Sequence, residues 1–205
     1  MVINKNNLQW EFSLKERILI YLLENKEKAK TIRQISADLK ADYKNTFNAL
    51  DSLSHLISKE KFGSNNMIRI KSIPDIGLFS IENKRTNNFL NENKKIELIR
   101  KDIESLNYPF FIVLLFGSYI GGTKTEKLDI DLCIISDSKE KTKSLMNKLE
   151  ILLLNLEIYD FTTEEFESMI QTKKDNVGKE IVKKNIILFG IENYYNLVSK
   201  WMKTE

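Results

Sequence analysis

The chain has 205 residues, 42% of them hydrophobic and 30% charged, and its net charge of +3 is too small to name a partner by itself. One cysteine, Cys133, excludes an internal disulfide, and one histidine, His55, excludes a His-based catalytic triad or a multi-His zinc site. No stretch approaches about eighteen apolar residues, and the opening MVINKNNLQWEF has no apolar signal core, so no membrane partner and a cytoplasmic location are expected.

In chain order, Leu14, Ile18 and Leu22, with Leu19 and Leu23 beside them, form one apolar stripe and predict an amphipathic helix. Thr31-Ile32-Arg33-Gln34 is a capping-box pattern that opens a second, short helix through Ile35 and Leu39. After Lys40-Ala41, Asp42 caps a third helix whose Phe47, Leu50, Leu53 and Ile57 are expected to face inward, with Tyr43, Lys44, Asn45, Asn48 and Ser52 outward. Residues 60–70 then read as two short strands about a Gly/Asn turn. Three helices followed by a hairpin resemble a winged helix-turn-helix domain.

Residues 1–72 carry 13 Lys/Arg against 8 Asp/Glu, so the basic part of the chain is its N-terminal third. The winged-helix resemblance implies DNA or RNA contact through residues 31–71, with Lys44 and Asn45 near base edges and Lys59, Lys61, Arg69 and Lys71 near phosphates. Domains of this shape also dock other proteins, and a polar rather than strongly basic third helix leaves both readings open.

Pro74 to Gly77 breaks the pattern, and the asparagine-rich run from Glu82 to Asn93 reads as a linker region, in part helical. From Lys94, Ile96, Ile99, Ile103 and Leu106 recur at helical spacing up to Asn107-Tyr108-Pro109, a helix stop placed before the strand Phe110 to Phe116. A Gly117-Ser118 step, ten residues, and Asp129-Ile130-Asp131 lead into a second strand, Leu132 to Ile135, with Cys133 as a small buried hydrophobe. Beyond it come a helix from Ser138, a strand within Leu152 to Phe161, a capped helix from Thr162, a helical Asn176 to Lys184, the strand Ile186 to Phe189, and a helix whose Tyr194, Tyr195 and Trp201 read as packing.

Strand alternation sends Asp129 and Asp131 to one face and Ile130 to the other. Two carboxylates side by side repel unless neutralised, and a divalent cation with hard oxygen ligands is the usual remedy. Gly117 lets the backbone approach a phosphate closely, and Ser118 adds a hydroxyl and an N–H. Gly-Ser, ten residues, Asp-x-Asp, with Gly122 between, resembles the signature of the DNA polymerase beta-like nucleotidyltransferase superfamily, in particular its minimal nucleotidyltransferases.

The resemblance implies an α/β fold, an α+β mixed sheet, for a nucleotidyltransferase domain at residues 94–205, preceded by a linker region at 78–93 and a winged helix-turn-helix domain at 1–77. It implies that Gly117 and Ser118 hold the triphosphate of an NTP and that Asp129 and Asp131 ligate Mg2+. For the third carboxylate the family's position, anchored on Thr162-Thr163-Glu164-Glu165-Phe166, coincides with Glu157; Asp160, on the opposite strand face, and a site of two carboxylates only are the alternatives.

Tyr119 replaces the arginine that many relatives carry after Gly-Ser, leaving Lys124 or Lys127 to meet the triphosphate, and Leu128 replaces a small polar residue. The activity implied is Mg-dependent transfer of a nucleoside monophosphate to a hydroxyl of a protein or nucleic-acid acceptor, and some relatives modify a HEPN-type ribonuclease toxin. The alternative is a nucleic-acid-binding regulator whose transferase-like domain only senses nucleotide.

Overall fold

The structure is a computed structural model that describes residues 12–63, 65–121 and 129–202. The chain divides into two compact units, parting between Ile81 and Glu82.

In the first unit, helix α1 (Leu14–Glu24) opens on a reciprocal capping box between Ser13 and Glu16. A short strand β1 (Lys30–Thr31) runs into α2 (Ile32–Asp38), whose cap is the expected Thr31–Gln34 box. Lys40, at φ 50°, turns the chain toward α3 (Tyr43–Ser52), where the Asp42 carboxylate accepts from the Asn45 N–H. Strands β2 (Ile57–Phe62) and β3 (Asn65–Ile70) form an antiparallel hairpin, and β1 joins it in the order β1-β3-β2. Ile18, Leu22, Ile35, Leu50, Ile57 and Ile68 are buried.

The inward face of α3 differs from the sequence reading. Thr46, Ala49 and Leu50 are buried, whereas Phe47 is 45% exposed and Ile57 enters the core from β2 rather than from the helix. The buried stripe runs through 46, 49, 50 and 53, and at ~100° per residue that leaves Phe47 about 60° beyond its edge.

Where the sequence reading expects a partly helical linker at 78–93, the structure has one continuous 17-residue helix, α4 (Ile76–Glu92). Three of its polar residues, Glu82, Arg85 and Thr86, are buried and act as interior ties of the second unit. Arg85 pairs with Glu82 at 2.7 Å and donates to the Asn185 carbonyl at 2.9 Å. Tyr195 donates to Glu82 at 2.7 Å, and Thr86 to the Ile187 carbonyl at 2.9 Å. A buried ion pair whose remaining valences are filled by hydrogen bonds is tolerable in a core.

The second unit continues with α5 (Lys94–Ser105), β4 (Ile112–Phe116), a 3-10 turn at Ser118–Gly121, β5 (Ile130–Ile135), α6 (Lys139–Glu150) and β6 (Leu156–Phe161). It closes with α7 (Thr163–Gln171), α8 (Val177–Lys183), β7 (Ile186–Phe189) and α9 (Ile191–Met202). The sheet order is β6-β5-β4-β7. Strand β4 runs antiparallel to both neighbours and β5 parallel to β6, so the sheet is mixed.

Helix α6 is the crossover that a parallel β5–β6 pair requires. Ile96, Ile99 and Ile103 of α5 and Leu145 and Leu149 of α6 pack against Val113, Leu115, Ile130, Leu132 and Ile134. The alternate residues Leu114 and Cys133 face the other side of the sheet, where Phe166, Ile181, Tyr194 and Tyr195 are also buried. The side chain of Trp201, like Gly122, Lys124, Lys127 and Leu128, lies outside the described residues.

Candidate active site

Strand β4 ends at Phe116, and the chain turns sharply at Gly117, whose φ of 71° lies where only glycine is unstrained. The turn is needed for a second reason. A Cβ on Gly117 would stand 1.9 Å from Oδ2 of Asp131, so the missing side chain is what lets that carboxylate lie over the backbone. Ser118 donates its backbone N–H to Asp131 and keeps an exposed hydroxyl at the start of the 3-10 turn. The Gly-Ser step therefore holds the aspartate first, through the glycine's missing side chain and the Ser118 N–H.

Asp131 is opposite Phe116 on one side and in parallel register with Glu157 on the other. Asp129 and Glu157 are exposed and Asp131 is half-buried. Burial first, then the charge of Glu157, pushes the Asp131 carboxyl above its ordinary value; the Ser118 N–H opposes this, while Asp129 and Glu180 add to it. Asp160 pairs with Ile134 and so takes the other face, where it lines an open pocket with Ser136, Lys139, Thr142 and Lys143.

The edge strand β6 supplies more than Glu157. Asn155, just before it, donates to Asp129, and its own carbonyl accepts from the Ile130 N–H at 2.9 Å. Tyr159 donates to Glu157 at 2.5 Å, and its ring meets Phe116 edge-on at 5.4 Å between centroids. That bond, then burial and the Glu157 charge, pushes the Tyr159 phenol up to about 12. Asn155, Tyr159 and Glu180 were not singled out in the sequence. For the first two the signal was present, because 155, 157 and 159 alternate onto one strand face.

A family model described as Polymerase beta, Nucleotidyltransferase matches residues 84–194, more than half of the chain. The chain belongs to this nucleotidyltransferase family. The match begins inside α4, ahead of the expected boundary at 94, and takes in Gly117, Ser118, Asp129, Asp131 and Glu157. No curated protein matches, and no solved structure matches.

Nucleotidyltransferases of this family generally employ a divalent metal. The donors fit one in kind: hard carboxylate oxygens, gathered at a spot where burial and neighbouring acids disfavour the negative charge of Asp131. They do not form a closed cage. Among the described residues no three acidic, imidazole or thiol side chains stand close enough to hold an ion together.

Tyr119, in the place of the usual arginine, is half-buried and sits edge-on to Phe89 at 6.5 Å, so it serves packing. Of the residues expected at phosphates in the first unit, Lys59 pairs with Asp51 at 3.2 Å, Lys71 donates to the Ser54 and His55 carbonyls, and Arg69 to the Glu27 carbonyl. Lys44 and Lys61 are exposed. No helix among the described residues is long and apolar enough to cross a membrane.

Proposed function

We propose that this family member transfers a nucleoside monophosphate from an NTP to a hydroxyl of a protein or nucleic-acid acceptor, with release of pyrophosphate, and that it does so with Mg2+. One observation carries the reading: Asp131 lies against the Gly117 turn that follows β4 and in register with Glu157 of β6, with the charge of Asp129 close by. Asp129 and Asp131 would hold the cation, with the NTP supplying ligands that the open carboxylate set lacks. Bound there, Mg2+ would neutralise the developing charge on the transferring phosphoryl group.

Ser118 presents its hydroxyl to the triphosphate. Glu157 is the group placed to take the proton from the attacking hydroxyl, because it is exposed at the sheet edge and beside Asp131. Incubating the protein with Mg2+ and each labelled NTP in cell extract tests this: a labelled macromolecule is expected, and its loss in Glu157→Gln. No labelled product with any NTP would sink the reading.

The first unit we read as a winged helix-turn-helix domain, on the support of the α2–α3 pair and the β2–β3 hairpin, with DNA or RNA met through residues 31–71. Where the acceptor is a protein, a HEPN-type ribonuclease toxin is the candidate that the family resemblance suggests. A second reading, a nucleic-acid-binding regulator that only senses nucleotide, draws support from the packed Tyr119 and the open carboxylate set. Nucleotide binding without any product would favour it.

A further inference from the structure

We propose that Asn155 and Tyr159 are positioning residues of this site, each fixing one of the two exposed carboxylates that flank Asp131. This rests on the transferase reading for its purpose, though not for its geometry. Strand β6 is at the edge of the sheet, so Glu157 has a neighbour strand on one side only. A long, exposed acid in that place samples several rotamers unless something holds it.

Tyr159 holds it. The residue lies two positions on, hence on the same face, and its hydroxyl donates to Oε1 at 2.5 Å. The phenol is itself fixed by the edge-on contact of its ring with Phe116, the residue opposite Asp131 in β4. Phe116, Tyr159 and Glu157 thus form a chain of contacts that starts and ends beside Asp131. Asn155 does the same for Asp129 through its side-chain amide, and the Ile130 N–H bond to its carbonyl ties it to β5.

Each donor engages one carboxylate oxygen, and a carboxylate has a second oxygen with lone pairs to give. The two acids are thereby fixed without being consumed. A donor that orients a ligating or proton-accepting group in this way typically changes activity about 10–100-fold when removed.

The test compares full-length wild type with Tyr159→Phe and Asn155→Ala, using side-chain NMR of Glu157 and Asp129 without nucleotide, and transfer kinetics. In wild type both acids should show single rotamers. Tyr159→Phe, which keeps the ring on Phe116, should bring rotamer averaging to Glu157 alone, and Asn155→Ala to Asp129 alone. With nucleotide, each variant should lower kcat by about tenfold or more and leave KM within about twofold.

Rotamer averaging in wild type, acids unmoved by their own variant, or unchanged kcat in both variants would overturn the proposal. Wild type that transfers nothing from any NTP would sink the transferase reading instead, and the NMR comparison would still decide the positioning. The selective response of one acid to one variant is something a general structural weakening does not produce.

Discussion

The α-carbon of Gly117 lies against the carboxylate of Asp131, so closely that a Cβ would stand 1.9 Å from Oδ2 and 2.8 Å from Cγ. Gly117→Ala must therefore move Asp131 as well as hold alanine at a φ of 71°. We expect a loss of about 1–3 kcal/mol in denaturant unfolding, together with loss of NTP binding. In an Asp131→Ala background the same change should cost only the backbone strain, about 1 kcal/mol, so the two substitutions should be non-additive. Additive losses would show that the contact does not bind the two residues together.

Asp131 itself weakens the fold near neutral pH. Its carboxyl lies above the ordinary 3.8 because of burial and then Glu157, so the folded state binds that proton more tightly than the unfolded chain does. Stability from this group is present at low pH and falls as pH rises from 3.8 through the raised value. Asp131→Asn should accordingly raise Tm at neutral pH, on the scale of ~1 kcal/mol or less given the open side of the site, and the gain should vanish in acid. A drop in Tm at pH 7 would mean that the Ser118 N–H outweighs burial and repulsion.

Cation and nucleotide should stabilise the fold together. Mg2+ plus NTP is expected to raise Tm more than either alone, since the triphosphate supplies oxygen ligands to the cation and the cation neutralises the triphosphate's charge. The joint shift should disappear in Asp129→Asn/Asp131→Asn, a variant that removes repulsion and keeps its packing. A joint shift that persists there would place the nucleotide elsewhere.

Alkaline stability depends on buried tyrosines. Burial and the charge of Glu82 push Tyr195 well above its ordinary value, and burial raises Tyr194 as well. Both phenols hold their protons more tightly when folded, so their contribution is intact below pH 10.0 and is lost as pH rises beyond it. In a spectrophotometric titration their phenolate absorbance should appear together with unfolding followed by circular dichroism. Ionisation of all seven tyrosines before any loss of structure would contradict this burial.

If the first unit meets nucleic acid, Lys61 is an exposed wing lysine to test, whereas Lys59 already pairs with Asp51. Lys61→Ala should lower the slope of log K against log salt by about one. Salt-independent binding, or none at low salt, would make this unit a protein-docking module.

Two acids of the candidate site were legible in the sequence because alternation is local: in extended backbone Asp129-Ile130-Asp131 puts its carboxylates on one face. The caps at Thr31, Asp42 and Thr162 were legible for the same reason, since each acts within three residues. So was the Gly117-Ser118 turn. The strand order, the parallel β5–β6 register that brings Glu157 rather than Asp160 beside Asp131, and the grips of Asn155 and Tyr159 were decided only by the tertiary structure. Helix α4 belongs with them. Its Glu82, Arg85 and Thr86 read as part of a polar linker until Asn185, Ile187 and Tyr195, about a hundred residues away in sequence, complete the hydrogen bonds of a buried Glu82–Arg85 pair and of Thr86. A polar side chain carries no local mark of whether water or a distant partner will satisfy it, whereas periodicity and capping are written in neighbouring residues.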